Sequence, residues 1–467
     1  MNLINGTVYT DRNKKKYLLF FLIVFFMLFY LACSDETNSE TETNIFENDL
    51  EPLKELGAFG KTYEADKNLN KDEWIAHITK NDKMEVYKPE QFIEDANILI
   101  LSNMEPGEAM LKIDNPTLKN NLVWDIVSTK LLYREAKDDF KMLDTNYKEQ
   151  TIKIMKNEAK TQYMILREIN VPIKSYEPTD EDKRKFYKER EEVYTKMGIK
   201  NYTEIVDLER EYNRYYVKKL NNRQVSILKE KYDYETDKDI LNKLKEMKTV
   251  DEILNSEYVD ETILKINDKD ISVEDFARYL LVKLTMINAK SMKATLLTAR
   301  SLEMEIDTII QQFIRYHLYL GKYKSKDYDE ENHLKRFVNI YVESRIADVF
   351  IRKEVDNRVP RPLPTEVEEY YKNHEVSIKN YFWKHYSDIA VDMSEEEIEE
   401  YIRFSVAEMV YHNELIKEEQ RRFRNHILEL YNYKSNKELL ETDILKEVPF
   451  KSSLAKNPLK LYKELKN

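Results

Sequence analysis

The sequence predicts an all-α body, mainly helical with short β pieces, and three observations carry that reading. Glycine is scarce: the 467 residues hold six, and beyond Gly198 only Gly321 remains. Tight hairpins, dinucleotide folds and phosphate loops draw on glycine for positive φ or close backbone approach, so those classes are not expected. Apolar residues recur at helical spacing. Ile152, Met155, Ala159, Tyr163 and Leu166 step by three and four, and Leu334, Val338, Tyr341, Val342, Ile346, Val349 and Phe350 form a second stripe. Such stripes are first of all core. Finally, one set of landmarks occurs twice in the same order, which predicts two tandem related helical units.

Taken in chain order, residues 1–32 read as a signal peptide: Lys14, Lys15 and Lys16, an apolar run from Tyr17 to Leu31, then Ala32 and Cys33. Cys33 is the only cysteine of the chain and stands where the apolar run stops, which marks it as the lipid attachment site. Tyr30-Leu31-Ala32-Cys33 resembles a bacterial lipobox, whose cysteine is acylated after cleavage just before it, although Tyr30 stands where an aliphatic residue is preferred. A run of this length can also be a short transmembrane helix, which leaves an uncleaved signal anchor as the alternative. In either case the basic flank stays inside, so the body is expected in the cell envelope, facing the periplasm or exterior.

Residues 33–70 are expected to form a flexible tether. SDETNSETETNIFENDLE carries acidic residues and no basic one, and such a segment buries too little apolar surface to offset the entropy of ordering it. With Cys33 committed to the anchor, no disulfide framework is possible, and core packing alone must hold the body together.

The repeat assigns residues 71–245 to one unit and 262–441 to a second, with a linker at 246–261 and a C-terminal tail at 442–467. KPEQF, ending in Phe92, matches SVEDF, ending in Phe276, at a separation of 184. Leu118, Leu122 and Ile126 fall on Leu302, Ile306 and Ile310 at the same separation, as does Tyr187 of TDEDKRKFYK on Tyr371 of TEVEEYYK. YDYETDKDIL, from Tyr232, matches YNYKSNKELL, from Tyr431, at 199, so the second unit carries 15 extra residues before its last landmark. Each unit opens with an extended piece, a polar turn and a helix. In the second, Ser272 with Glu274 and Asp275 suits a helix N-terminus; in the first, Pro89 suits an initial helical turn. Phe92 and Phe276 are expected at equivalent positions, each anchoring its helix against the arm helix of its own unit.

ILKINDKDISVEDFARYL resembles the opening of the SurA and PrsA type of extracytoplasmic chaperone and peptidyl-prolyl isomerase, through Ile266, Asn267, Ile271, Ser272, Asp275 and Phe276; Asp268 replaces the family's usual glycine. VPRPLPTEVEEYYKNHE is similar to the segment that follows the family's helical arm, and HILELYNYKSNKELL to its closing helix and short extended piece. The likeness spans 262–441 and, more faintly, 75–245. In the family a glycine-rich isomerase domain usually sits between those last two segments. Here 59 residues without glycine separate Tyr371 from Tyr431, and 44 separate Tyr187 from Tyr232. The resemblance therefore implies the SurA N-terminal-like chaperone part, duplicated, without the catalytic part.

No motif for chemistry competes with this. A net charge of -12 without a basic stripe argues against nucleic acid. His77, His317, His333, His374, His385, His412 and His426 form no metal-ligand spacing; Glu408 and His412 lie one helical turn apart, the spacing of an exposed surface pair. No nucleophile elbow occurs, no catalytic, cofactor or metal residue can be singled out, and the substrate-binding residues are not legible. The 33 tyrosines suit adaptable peptide recognition, but an AT-rich codon bias is the larger cause of their number, so the count alone argues little for binding. The expected function is that of a lipid-anchored chaperone-like protein binding unfolded or nascent exported proteins without catalysis. An adaptor lipoprotein for one folded partner and a diverged peptidyl-prolyl isomerase or helical hydrolase are the alternatives.

Overall fold

A computed structural model describes residues 56–464 apart from 142–144, 206, 248, 288–298, 325–331, 356–357 and 391–392. The signal, Cys33 and most of the tether lie outside these residues. The described residues are 70% helical and 8% strand, an all-α body with short β pieces.

The strands are β1 (Lys61–Glu64), β2 (Ala76–Lys80), β3 (Lys83–Tyr87), β4 (Tyr234–Thr236), β5 (Thr262–Ile266), β6 (Lys269–Ser272) and β7 (Lys434–Ser435). The hairpins β2–β3 and β5–β6 correct the expectation drawn from glycine. Their two-residue turns are Asn81-Asp82 and Asn267-Asp268, with Asn81, Asp82 and Asn267 at φ 51, 57 and 51°. Asn and Asp tolerate the left-handed region because their short polar side chains bond to nearby backbone, so a tight hairpin forms without glycine.

Each hairpin leads into a helix: α1 (Pro89–Asn103) after β3, and α10 (Val273–Ile287) after β6. Proline starts α1, where its missing donor is harmless, and Ser272 caps α10 by accepting from the Asp275 N–H at 3.2 Å. The remaining helices of the first half are α2 (Pro106–Asp114), α3 (Pro116–Lys141), α4 (Thr145–Ile165, continued by a π-turn to Asn170 and a last helical turn, Val171–Lys174), α5 (Asp180–Glu189), α6 (Glu191–Lys196), α7 (Leu208–Lys231) and α8 (Lys238–Lys245). After α9 (Val250–Leu254) and α10, the second half continues with α11 (Ala299–Lys324), α12 (Asn332–Glu354), α13 (Pro364–Ala390), α14 (Glu395–Tyr401), α15 (Ala407–Leu430) and α16 (Lys437–Leu440), and α17 (Pro458–Glu464) follows. Hairpin, helix, two long helices, a helical pair, a long helix, a short strand and a short helix can be followed through both halves, with α2 intervening in the first.

The halves exchange parts. The closing strand of the second half, β7, pairs with β2 of the first in a sheet ordered β1-β3-β2-β7. The closing strand of the first half, β4, pairs with β5 of the second in a sheet ordered β4-β5-β6. The arm helices pack on each other and reach across: α12 packs on α3, α4 and α1 of the first half and touches α10 of its own, and α4 packs on α11 and α10 as well as on α12. The cores therefore cross the boundary between the halves. One joins Phe92, Leu122, Val123 and Leu131 to Ala347, Ile351, Ile427 and Leu440; the other joins Tyr163, Tyr212 and Leu244 to Phe276, Phe313 and Val342.

This packing revises several expectations. Phe92 and Phe276 are both fully buried at the start of their helices, but Phe92 packs in a core that holds residues of α12 and not of α4. The tether ends before residue 70, since Leu56 and Phe59 are buried and β1 extends the first sheet. Residues 246–261 include α9, whose Val250 and Ile253 are buried, and the stretch after 441 returns through α17 to pack on α7 with Leu461 buried. Helices α13 to α15 form a small core of their own, built on Tyr371, Ile378, Phe382 and Tyr386 with Tyr401 and Ile402. It touches α6 near Ala390, whose carbonyl accepts from Lys196 Nζ at 3.0 Å.

Candidate functional site: a charged seam and a cleft between the halves

Where α12 crosses α1 and α3, four charged side chains from the two halves meet, three of them buried and Arg336 half-buried. Asp95 on α1 and Lys130 on α3 come from the first half, Arg336 and Glu343 on α12 from the second. Lys130 Nζ lies 3.1 Å from Glu343 Oε2 and 3.9 Å from Asp95 Oδ2, and Arg336 Nε donates to Asp95 Oδ1. Glu343 also accepts from the Gly57 N–H at 2.6 Å, and Asp95 from the Tyr87 hydroxyl at 2.6 Å. Burial and the adjacent Asp95 carboxylate push the Tyr87 hydroxyl well above its ordinary range, so it stays a donor. Arg336 Nη1 also lies 2.8 Å from Glu94 Oε2 on the exposed side, and both buried carboxylates are occupied by donors. The set is suited to fixing the seam rather than to proton transfer, because a general base needs an acceptor available to substrate.

A cleft of 280 Å³ opens onto this seam between α1, α3, α12 and α15, and the paired Asp95, Lys130 and Glu343 form part of its lining. Leu99, Met104, Leu122, Ile126 and Ile340 supply its apolar wall. Asp125 and Arg424 also line it, and they differ from the seam charges: among the described residues, neither is ion-paired. Arg424 Nη1 donates to Ser128 Oγ at 2.8 Å and Thr129 Oγ1 at 3.2 Å, and its guanidinium lies 5.9 Å from the Trp124 ring centroid. Burial lowers the Arg424 pKa against the favourable fields of Asp348 and Asp125. Asp125 stands exposed at the mouth of the cleft, yet the protein packed around it raises its carboxyl, opposed by Arg424 and Lys112. Both side chains thus hold charge in partly desolvated surroundings, where a polar ligand atom gains more than it would in open water.

Cys33, the one sequence-based site residue, lies outside the described residues. Glu408 and His412 are not joined as a site: Glu408 pairs with Arg361 at 3.7 Å, and His412 Nε2 lies 3.4 Å from the Val359 carbonyl. Among the described residues no group of His, Cys, Asp or Glu is placed to hold a metal ion, and no helix is long and apolar enough to cross a membrane. Asp125 and Arg424 were not legible in a sequence with 87 acidic and 75 basic residues. The one local signal is Asp125 standing between the apolar positions Leu122 and Ile126 on a helix, a charge at the shoulder of a buried face. The chain matches no family model, and neither a curated protein nor a solved structure matches it.

Proposed function

We propose that the chain is a membrane-anchored envelope lipoprotein, lipidated at Cys33, whose body consists of two related units and holds unfolded or extended segments of exported proteins without catalysis. The observation that carries the reading is the helical hairpin α13–α15. It occupies the stretch after Tyr371 where the resembling family places its isomerase domain, and it presents apolar side chains to solvent: Leu363 just before it is 62% exposed, Val376 73% and Phe404 56%. Beside Phe404, Arg403 is tied to Glu368. Exposed apolar groups on a charged helical arm offer weak, non-directional contact to many unfolded chains.

The test is whether the body from about residue 50 onward suppresses aggregation of two unrelated unfolded proteins. Suppression of both is the expected result. Suppression of neither, with capture of one folded envelope protein, would support the adaptor instead, and acceleration of a proline-limited refolding step would reinstate an isomerase.

A further inference from the structure

The cleft beside the seam differs from the exposed arm in having polar groups set for direction. Arg424 has N–H groups beyond those given to Ser128 and Thr129, and Asp125 accepts no side-chain hydrogen bond from the described residues. They share one cleft without pairing with each other, one a donor and the other an acceptor, against a wall that includes Leu99, Leu122 and Ile340. A peptide unit has the complementary arrangement: a carbonyl to accept, an N–H to donate, and a side chain to bury. The volume of 280 Å³ is just below the range of about 300–1,000 Å³ typical of small-molecule sites, which suits one or two residues better than a larger ligand.

We propose that this cleft is a peptide-backbone subsite: Arg424 donates to a main-chain carbonyl of an extended segment, Asp125 accepts from a main-chain N–H, and an apolar side chain of that segment enters between Leu99, Leu122 and Ile340. The inference deepens the proposed function and rests on it for the source of the peptide. It supplies what the exposed arm lacks, recognition of the feature common to all extended chains, with sequence entering only through the apolar side chain. A free carboxylate is the rival ligand for the guanidinium, but Asp125 at the same mouth repels it.

The test uses the full chain in lipid nanodiscs and a fluorescent ten-residue peptide of leucine and alanine, acetylated and amidated so that it carries no terminal charge. The same peptide with N-methylated backbone, and a version ending in a free carboxylate, are compared by anisotropy. The blocked peptide is expected to bind, N-methylation to weaken it about tenfold, and Asp125→Asn to weaken it by a comparable factor, since each removes a hydrogen bond to a charged group. Arg424→Lys should retain part of the affinity, because it keeps the charge and loses the fork. Thermal melts of both variants, unchanged for the exposed Asp125, separate lost binding from lost structure. Equal binding of the methylated peptide, binding that requires the free carboxylate, or wild-type affinity in Asp125→Asn would each overturn the subsite. Aggregation suppression measured on the same samples separates the two proposals. If suppression persists while the blocked peptide fails to bind or these variants bind it unchanged, the subsite falls alone; if the peptide binds as described and no client is protected, the holding function falls and the subsite stands.

Discussion

His77 shows how a single side chain connects the halves to solution conditions. It sits on β2 opposite Lys434 of β7, its ring edge-on to Trp74 at 4.9 Å, and its Nδ1 is buried without a hydrogen-bond partner. Burial, reinforced by Lys434, lowers its pKa below the ordinary 6.5. The unfolded chain then takes up the proton at a higher pH than the folded one, so this contribution to stability is fully present above 6.5 and is lost as pH falls through the folded value. Melting curves between about pH 7.5 and pH 5 should show the wild type losing more stability on acidification than His77→Gln, and equal losses would remove His77 as the cause. Cys33 poses a separate residue-scale question. Cys33→Ala should abolish acyl labelling and leave the precursor unprocessed; a variant still labelled and cleaved would mean that the lipobox reading is wrong.

At the scale of elements, the extended piece, polar turn and helix that open each half were legible because their signals are local, though not as a closed hairpin. Ile263, Leu264 and Ile266 form a short apolar run, Asn267-Asp268 turns it, and Ser272 with Asp275 caps the next helix. The argument from glycine was too strong, since Asn81 and Asn267 adopt positive φ themselves. The partners of the arm helices were not legible. A stripe such as Val342, Ile346 and Val349 says that a face is buried, but periodicity carries no address for what covers it. Nor could a strand of two residues, β7, announce that it crosses to the other half. For the hairpin α13–α15 the expected outcome concerns activity: replacing Leu363 and Phe404 by serine should reduce aggregation suppression severalfold while the melting temperature holds, because both are exposed in the native state. Full suppression by the double variant would locate client contact elsewhere.

For the molecule as a whole, the exchange decides how it unfolds. If the halves were independent, Phe276→Ala would melt only the second. Because each core draws on both halves, Phe92→Ala and Phe276→Ala should each cost about 3–5 kcal/mol and shift one common transition. Calorimetry resolving two transitions, only one of them moved by each substitution, would argue against shared cores. The exchange also accounts for the seam of Asp95, Lys130, Arg336 and Glu343, since Lys130 meets Glu343 and Arg336 meets Asp95 only when the halves interlock. The most direct measurement is disulfide trapping in a Cys33→Ser background. His77 and Lys434 are cross-strand partners, as are Glu235 and Lys265, and antiparallel partners place their Cα atoms about 4.5–5.5 Å apart, within disulfide reach. Cysteines at either of these inter-half pairs should cross-link rapidly on mild oxidation, whereas the within-half pairs His77 with Glu235 and Lys265 with Lys434 should not. Cross-links confined to the within-half pairs would show two self-contained units and contradict the interlocked body.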